Sequence, residues 1–408
     1  AVAKAHPGQC VPPFLSKLDF TGRTVVFGAG KASAAMAKAV EQHTSAALEG
    51  LVITRYGHAV ECQQIEIVEA GHPVPDQQGM RAAASMLETA SGLTEKDSVL
   101  CLISGGGSSL LSLPAPGLSL EDKQVITSKL LKCGATIHEI NCIRKHLSAI
   151  KGGRLAVACT PAPLLSLIIS DVPGDDLSVI ASGPTVADPS TFEDALKILT
   201  KYDIPDPKSV LKHLENAADE TPKPGDSRLQ NVENHLIATP QQSLQAAAQA
   251  VSEAGMTPLI LGDSLEGESR DAGKMHAETA LQIQKNCKPV SPPAVILSGG
   301  ETSVTVQGSG RGGPNTEFML ALLQELRGQD GIWAIACDTD GIDGTEDNAG
   351  AFISPKSLKK SKELGLDPSG FLSNNDSYSF FYELGDLVSP GPTMTNVNDF
   401  RAILVLPA

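Results

Sequence analysis

The segment that decides the fold reads Thr24-Val25-Val26-Phe27-Gly28-Ala29-Gly30-Lys31-Ala32-Ser33. Its apolar first half is typical of a strand buried on both faces, its glycines predict a turn, and an Ala-rich helix is expected over residues 32–42. Similar apolar runs end in glycines, hydroxyls or acids at Leu51 to Ile53, Val99 to Ile103, Leu165 to Ile169, Val295 to Leu297 and Trp333 to Ala336. Helical sequence lies between such runs, over residues 79–90, 241–254 and 271–285. Strands that alternate with helices predict mostly parallel sheets covered by helices, which bind ligands at the carboxyl ends of their strands.

The composition excludes several classes of protein. The chain has 32 Lys and Arg residues against 47 Asp and Glu residues, a net charge of −15. This charge argues against nucleic acid or an anionic membrane as the main partner. No apolar run approaches the roughly 20 residues that a membrane-spanning helix needs. The eight cysteines are scattered without a CxxC pair, which predicts a cytoplasmic setting. The chain opens on Ala1 rather than Met, and we expect residues upstream of it.

The length and the prolines predict the domain organisation. A chain of 408 residues suffices for two or three domains. Prolines and charges crowd residues 203–234, which predicts a boundary there, and residues 288–293 are a second candidate. We predict an α/β protein of two α/β domains with mostly parallel sheets. A larger, Rossmann-like domain would span residues 1–230, and a second domain residues 231–408.

Two glycine-rich turns of the first half favour an anion, because free backbone N–H groups and the positive end of a helix attract negative charge. The turn from Gly28 to Ser33 adds a lysine. It matches neither the dinucleotide pattern, which needs glycine at Ser33, nor the P-loop pattern. The turn Ser104-Gly105-Gly106-Gly107-Ser108 directly follows a buried strand and suits phosphate or carboxylate oxygens. A plain strand-to-helix turn and a flexible connector remain the alternatives.

Two further turns carry hydroxyls or a cation. Ser182-Gly183-Pro184-Thr185 offers hydroxyl and amide groups. Arg311 stands between Gly310 and Gly312, where it has little local support unless an anion fixes its guanidinium. An exposed hairpin tip is the alternative for the arginine.

Acidic residues follow two of the predicted strands. Asp171 comes two residues after the run that ends at Ile169 and is suited to hold Mg²⁺ or accept a proton. Asp338, Asp340 and Asp343 follow the run at 333–336 and suggest a divalent metal. This pattern is not an EF-hand, because the twelfth residue counted from Asp338 is alanine. Asx turns remain the alternative for Asp171.

A basic segment, Asn141 to Arg154, interrupts this acidic chain. On a helix, Arg144, Ser148 and Lys151 would share one face, where an anionic substrate or a phosphate would fit. A basic surface helix is the alternative, and His146 is predicted to be structural.

Anion-binding turns, acids suited to Mg²⁺ and cations beside glycines together are typical of phosphoryl transfer. In this order, the motifs resemble the glycerate kinase type-2 family, also called the MOFRL family. The resemblance covers nearly the whole chain and is carried by the motifs at residues 28–32, 71–76, 104–108, 145–153, 169–175, 180–185, 310–315, 338–341, 375–378 and 391–399.

The resemblance implies ATP-dependent phosphorylation of D-glycerate to 2-phosphoglycerate, with Mg²⁺ and a site between two α/β domains. A C-terminal module would span about residues 293–408. Lys31 and Arg311 match the functional lysine and arginine of the family. For ATP we predict contacts from Gly28, Gly30, Ser104, Gly105, Gly106, Gly107, Ser108, Ser182, Gly183 and Thr185. The predicted catalytic carboxylates are Asp171 and Asp340, and the metal ligands Asp171, Asp338 and Asp340. The predicted substrate contacts are Arg144, Lys151, Asn315 and Asn396.

Two other functions stay open at this point. Some members of the family carry the name hydroxypyruvate reductase, and the turn at Gly28 is the local support for a reductase that uses NAD(P)H. A non-catalytic sensor of sugar acids or nucleotides would need the anion turns without the metal acids. A homo-oligomer is left open.

Overall fold

The computed structural model describes residues 1–17 and 22–408. Two compact units divide the chain. We call His6–Ile237 the first unit, and Ala1–Ala5 together with Ala238–Ala408 the second unit. Each unit is built around a six-stranded sheet.

The sheet of the first unit contains β1 Thr24–Ala29, β2 Leu48–Arg55, β3 Glu66–Ala70, β4 Ser98–Ile103, β5 Leu164–Ile169 and β6 Val232–Ala238. Its strand order is β3-β2-β1-β4-β5-β6. The strand pairs from β3 to β5 are parallel. This is the strand order of the doubly wound dinucleotide-binding fold, in which the order reverses between β1 and β4. Ligands of such sheets bind at that point, outside the carboxyl ends of the strands.

Helices cover both the sheet and each other in the first unit. They are α2 Pro7–Cys10, α3 Pro12–Leu15, α4 Ser33–His43, α5 Gln77–Ser91, α6 Gly107–Leu110, α7 Leu120–Lys132, α8 Ile137–His146, α9 Arg154–Cys159, α10 Phe192–Lys201 and α11 Lys208–Asn216. The strands β1, β4 and β5 are buried along their whole length, and their side chains form one apolar core with α5 and α9. A separate apolar cluster joins α7, α8, α10 and α11.

The sheet of the second unit contains β7 Thr257–Leu265, β8 Ala294–Gly300, β9 Ile332–Asp338, β10 Gly350–Ile353, β11 Leu387–Val388 and β12 Asp399–Val405. The order is β11-β10-β9-β12-β8-β7. Four of these strands run in one direction, and β10 and β12 run opposite to them. The helices are α1 Val2–Ala5, α12 Pro240–Glu253, α13 Ser269–Asn286, α14 Pro314–Leu326, α15 Ser357–Glu363, α16 Pro368–Ser373 and α17 Ser377–Leu384.

The fold class predicted from the sequence, α/β with two sheets, is confirmed, and the second sheet is mixed: β7 and β8 pair in parallel, whereas its other strand pairs are antiparallel. The reversal at β10 has a local cause: the loop over residues 339–349 contains no crossover helix and turns the chain back on itself. The four predicted helices are confirmed as α4, α5, α12 and α13.

One predicted helix is wrong in its extent. Arg144 lies in α8, which ends at His146, whereas Ser148 and Lys151 lie in the turns that follow. The hydroxyl of Ser148 accepts the N–H groups of Ile150 and Lys151, and a serine that bonds its own backbone in this way competes with helix formation.

No helix among the described residues is both long and apolar enough to cross a membrane.

Candidate active site

The two glycine turns of the first unit interlock at the carboxyl ends of β1 and β4. The N–H of Lys31 donates to the carbonyl of Gly105 at 2.8 Å, and the N–H of Ala32 donates to Oγ of Ser104 at 3.0 Å. Gly30 has a φ of +146°, and a Cβ added there would lie 2.1 Å from Oγ of Ser104. Only glycine therefore permits this approach, and the two turns form a single structure at the point where the strand order reverses.

Two of the predicted ATP contacts lie below this surface. Gly28 belongs to β1, where a Cβ would come within 2.6 Å of the Leu102 carbonyl, so its glycine serves strand packing. Ser104 is buried and its hydroxyl joins the two turns. Of the predicted residues in these two turns, Lys31, Gly106 and Ser108 are partly exposed, whereas Gly105 and Gly107 are buried.

Lys31 and His72 flank Gly106. A Cβ at Gly106, whose φ is +79°, would lie 3.0 Å from the imidazole of His72 and 3.3 Å from Cγ of Lys31. The glycine thus leaves room for a lysine and a histidine on either side of the turn. Sequence reasoning did not select His72 as a site residue, although it stands in the motif at residues 71–76.

A chain of polar side chains leads from the glycine turn to Arg144. Oγ of Ser108 lies 2.8 Å from Oγ of Ser182, which donates to Oδ1 of Asn141 at 3.0 Å. The same Oδ1 accepts from Nη1 of Arg144 at 3.5 Å. Sequence reasoning did not predict Asn141, because an amide on a helix carries no pattern of its own.

The turn at Ser182 is held in an uncommon backbone conformation. Ala181, Ser182 and Gly183 have φ values of 51°, 60° and 58°. Left-handed residues that are not glycine are costly and collect at functional sites. The carbonyls of Ser182 and Gly183 accept the N–H groups of Gly152 and Gly153, at 3.0 and 2.7 Å, which ties this turn to Lys151. Thr185 points elsewhere, because its buried hydroxyl donates to Asn234 at 2.6 Å.

Three buried or half-buried cations, and the exposed Lys132, line one cavity of the first unit, of about 460 Å³. Arg144 and Lys151, both predicted, line it with Lys123, which sequence reasoning missed. Lys123 stands among good helix formers in α7, so the sequence gives no sign that it is buried. Burial and the nearby Arg144 lower the pKa of Lys123 to about 7. Burial, together with the nearby Lys123 and Arg144, holds the pKa of Lys151 well below its usual range.

The predicted metal acids divide between the units. Asp171 follows β5 in the first unit and is half-buried. Asp338 and Asp340 lie in the second unit, where Oδ1 of Asp338 accepts the N–H of Asp340 and Oδ1 of Asp340 accepts that of Ile342, each at 2.8 Å. In the part of the chain that the structure describes, no three His, Cys, Asp or Glu side chains are grouped as a metal cage.

Further buried acids surround this turn of the second unit. Asp343 accepts the N–H groups of Asn315 and Thr316 at the start of α14, and burial raises its pKa to about 6. Asp399 accepts from Nδ2 of Asn315 at 2.6 Å and pairs with Arg401 at 2.5 Å. Burial raises the pKa of Asp399 as well, and Asp340 adds to the rise.

Of the two predicted substrate contacts in the second unit, Asn315 is buried, and its Oδ1 has no hydrogen-bond partner in the described structure. Asn396 is also buried, and its Oδ1 lies 3.3 Å from the N–H of Asn398. The structure gathers Asn315, Asp343 and Asp399 through direct hydrogen bonds.

Arg311 has local support that the sequence did not reveal. Its guanidinium pairs with Glu346 and lies 4.5 Å from the ring centre of Tyr378, while the side chain stays 59% exposed. The interpretation that only a bound anion could fix this arginine is therefore wrong. Glu346 and Tyr378 come from other segments of the chain, and no spacing in the sequence links them to Arg311.

We expect Arg311→Lys to reduce kcat/KM nearly as much as Arg311→Ala, by at least about tenfold, because an ammonium cannot reproduce a planar guanidinium that stacks on Tyr378. Steady-state kinetics of both variants measure this. Full activity of the lysine variant would show that charge alone matters at this position. Arg327→Lys, in the same unit, is the matched control and should leave kcat/KM unchanged.

Comparisons with known proteins show the family to which the chain belongs. Residues 1–215 match the model of a domain of unknown function, DUF4147, and residues 294–399 match the MOFRL family model. The chain is 43% identical to a D-glycerate 2-kinase of Thermotoga maritima, over 100% of this chain and 96% of the relative. A solved glycerate kinase structure from the same organism superposes with a TM-score of 0.90 at 42% identity, covering 99% of this chain and 96% of that one. A protein of Agrobacterium vitis, provisionally named a hydroxypyruvate reductase, is 53% identical over 99% of this chain and 92% of its own length.

The fold and the two matched models define the class: a two-unit α/β protein of the DUF4147–MOFRL type. More particularly, the chain belongs to the glycerate kinase type-2 family, and the resemblance found in the sequence is confirmed.

Proposed function

We propose that this protein phosphorylates D-glycerate with ATP and releases 2-phosphoglycerate. The observation that carries the proposal is the interlocked pair of glycine turns at the ends of β1 and β4, with Lys31 beside Gly106. Backbone N–H groups and a cation at this point of a doubly wound sheet favour a phosphate ligand. Relatives named as glycerate 2-kinases, similar over nearly the whole chain, support the same reaction.

The residues divide among the tasks of phosphoryl transfer. The turn from Gly105 to Ser108 and the hydroxyl of Ser182 are placed to hold phosphate oxygens of ATP. Lys31 of the first unit and Arg311 of the second are proposed to stabilise charge on the transferring group or to bind the carboxylate of glycerate. Because the transfer involves little covalent chemistry for the protein, positioning and charge stabilisation supply most of the catalysis.

The residues of the second unit suit a magnesium ion. Asp338 and Asp340 offer carboxylate oxygens. The carboxylates of Asp343 and Asp399 lie in the same unit, where the buried Arg401 supplies one positive charge to offset them. Mg²⁺ needs only one or two carboxylates when substrate phosphates complete its shell, so the lack of a three-carboxylate cage is compatible with it. Asp338 and Asp340 would hold the ion, which when bound neutralises charge on the phosphates. Asp171 of the first unit is the candidate base.

A coupled assay tests the reaction and the position of transfer. Enolase uses 2-phosphoglycerate directly but needs a mutase to use the 3-isomer. We expect phosphoenolpyruvate to form from D-glycerate, ATP and Mg²⁺ with enolase alone. An absolute requirement for the mutase would show transfer to the terminal hydroxyl, and no ADP under any condition would refute the kinase.

The metal acids are tested by Asp340→Asn, which keeps the size and the acceptor oxygen but loses the charge that a hard cation requires. We expect the Mg²⁺ concentration for half-maximal activity to rise about tenfold or more. Asp271→Asn, an exposed acid of α13, is the matched control. A high Mg²⁺ concentration should restore the activity of a variant that has lost a metal ligand. Asp171→Asn should stay inactive at high Mg²⁺ if Asp171 is the base. Unchanged Mg²⁺ dependence in Asp340→Asn would place the metal elsewhere.

A reductase that acts on hydroxypyruvate is the second candidate. The dinucleotide-type strand order and the name of the Agrobacterium relative favour it, whereas Ser33 in place of the third glycine of the fingerprint opposes it. Rapid loss of NADH with hydroxypyruvate, without formation of ADP from glycerate and ATP, would decide for the reductase.

A cytoplasmic setting stays a prediction, and the oligomeric state stays open.

A further inference from the structure

The cavity of the first unit has a cationic interior and an apolar entrance. Lys123 and Lys151 are almost fully buried in it, with Arg144 beside them. Pro73, Val74 and Leu131 also line it, and the side chains of Val74 and Leu131 are 63% and 61% exposed. On α7, Lys123 and Leu131 are eight residues apart and share one helix face, so this single helix supplies both a buried cation and an exposed apolar side chain.

The buried cations are not explained by stability. No carboxylate lines the cavity, and Nζ of Lys151, which is completely buried, has no hydrogen-bond partner among the residues that the structure describes. Burying an unpaired ammonium is unfavourable, and neighbouring cations make it more so. An anionic ligand that enters the cavity would supply the missing partner.

We propose that this cavity binds the nucleoside triphosphate, with the polyphosphate on Lys123, Arg144 and Lys151 and the base against Val74 and Leu131. The proposal rests on the kinase function proposed above and assigns the nucleotide to the first unit. These three cations, together with the exposed Lys132 that also lines the cavity, match the negative charge of a triphosphate, whereas the single carboxylate of glycerate would leave a positive excess. Glycerate also has no apolar surface to cover the entrance.

The cavity connects to the proposed site of transfer. Ser108 lines the cavity and belongs to the glycine turn that carries Lys31 against Gly105. Its hydroxyl also starts the chain of hydrogen bonds through Ser182 and Asn141 to Arg144. A triphosphate on the cavity cations can therefore extend its terminal phosphate toward the turn.

Calorimetric titration of the full chain, without glycerate, tests the assignment with two probes: a β,γ-methylene analogue of ATP and inorganic tripolyphosphate. We expect Lys151→Met to weaken binding of both probes at least about tenfold. Leu131→Ser should weaken the binding of the analogue and leave the affinity for tripolyphosphate unchanged, because in the proposed complex only the base contacts the entrance. The matched control is Lys129→Met, a half-buried lysine of α7 that does not line the cavity.

A thermal melt separates binding from folding. Because Lys151→Met removes an unpaired buried charge, the ligand-free variant should unfold at the same temperature as the wild type or higher. The assignment would be overturned if Lys151→Met and Leu131→Ser both bound the analogue as tightly as the wild type. It would also be overturned if Lys151→Met weakened the binding of D-glycerate and not that of the analogue. If the wild type makes no phosphoglycerate while the binding pattern holds, only the proposed reaction fails. If it makes 2-phosphoglycerate while the pattern is absent, only the cavity assignment fails.

Discussion

Lys31→Ala is expected to lower kcat by at least about two orders of magnitude, because removing one preorganised charge stabiliser typically costs roughly 3 kcal/mol in the transition state. Lys31 lies where the turns after β1 and β4 join, beside Gly106. In the proposed reaction, its ammonium stabilises phosphate oxygens bound at these turns. If it acts mainly on the transferring phosphoryl group, kcat and kcat/KM should fall together, with little change in KM.

The measurement is steady-state kinetics by the enolase-coupled assay, with saturating ATP and D-glycerate. Lys38→Ala, in the helix α4 that follows this turn, is the matched control and should keep near-normal kcat. Both variants should unfold at close to the wild-type temperature, since Lys31 is only half-buried. A folded Lys31→Ala enzyme with near-normal kcat would remove this lysine from the site.

Gly30→Ala should be among the most damaging single-methyl changes in the first unit. The new Cβ would lie 2.1 Å from Oγ of Ser104 and 2.5 Å from its carbonyl oxygen, and the residue has a φ of +146°. The backbone oxygen cannot rotate away as a flexible side chain would, so one of the two turns must move. Overpacking of this kind costs about 1–3 kcal/mol, to which the backbone strain of a non-glycine residue adds about 1–3 kcal/mol.

Chemical denaturation measures the free energy of unfolding, and the enolase-coupled assay measures the activity. Gly57→Ala separates strain from clash, because Gly57 has a φ of +79° with nothing within 4 Å of the added Cβ. It should lose about 1 kcal/mol of stability and keep its activity. Gly30→Ala that is as stable and as active as Gly57→Ala would mean that the two turns are not held together as described.

Local patterns in the amino-acid sequence are sufficient to predict the fold class and the positions of the turns. Buried strands are recognisable as short apolar runs, and the glycines after Phe27 and Ile103 indicate where the chain turns. Lys31, the turn from Gly105 to Ser108, and Asp340 do follow strand ends as the sequence predicted, and their roles stay predictions. These signals are local: each depends on residues a few positions apart.

The tertiary structure alone decided which of these segments meet. Gly30 and Ser104 are far apart in the sequence. No local pattern could show that they lie too close together for a methyl group to fit on Gly30. Lys123 is an ordinary helical lysine until α7 packs and removes it from water. The structure likewise supplied Glu346 and Tyr378 to Arg311. The physical reason is the same in each case: burial and charge pairing depend on distances through space, whereas periodicity and turn chemistry act along the chain.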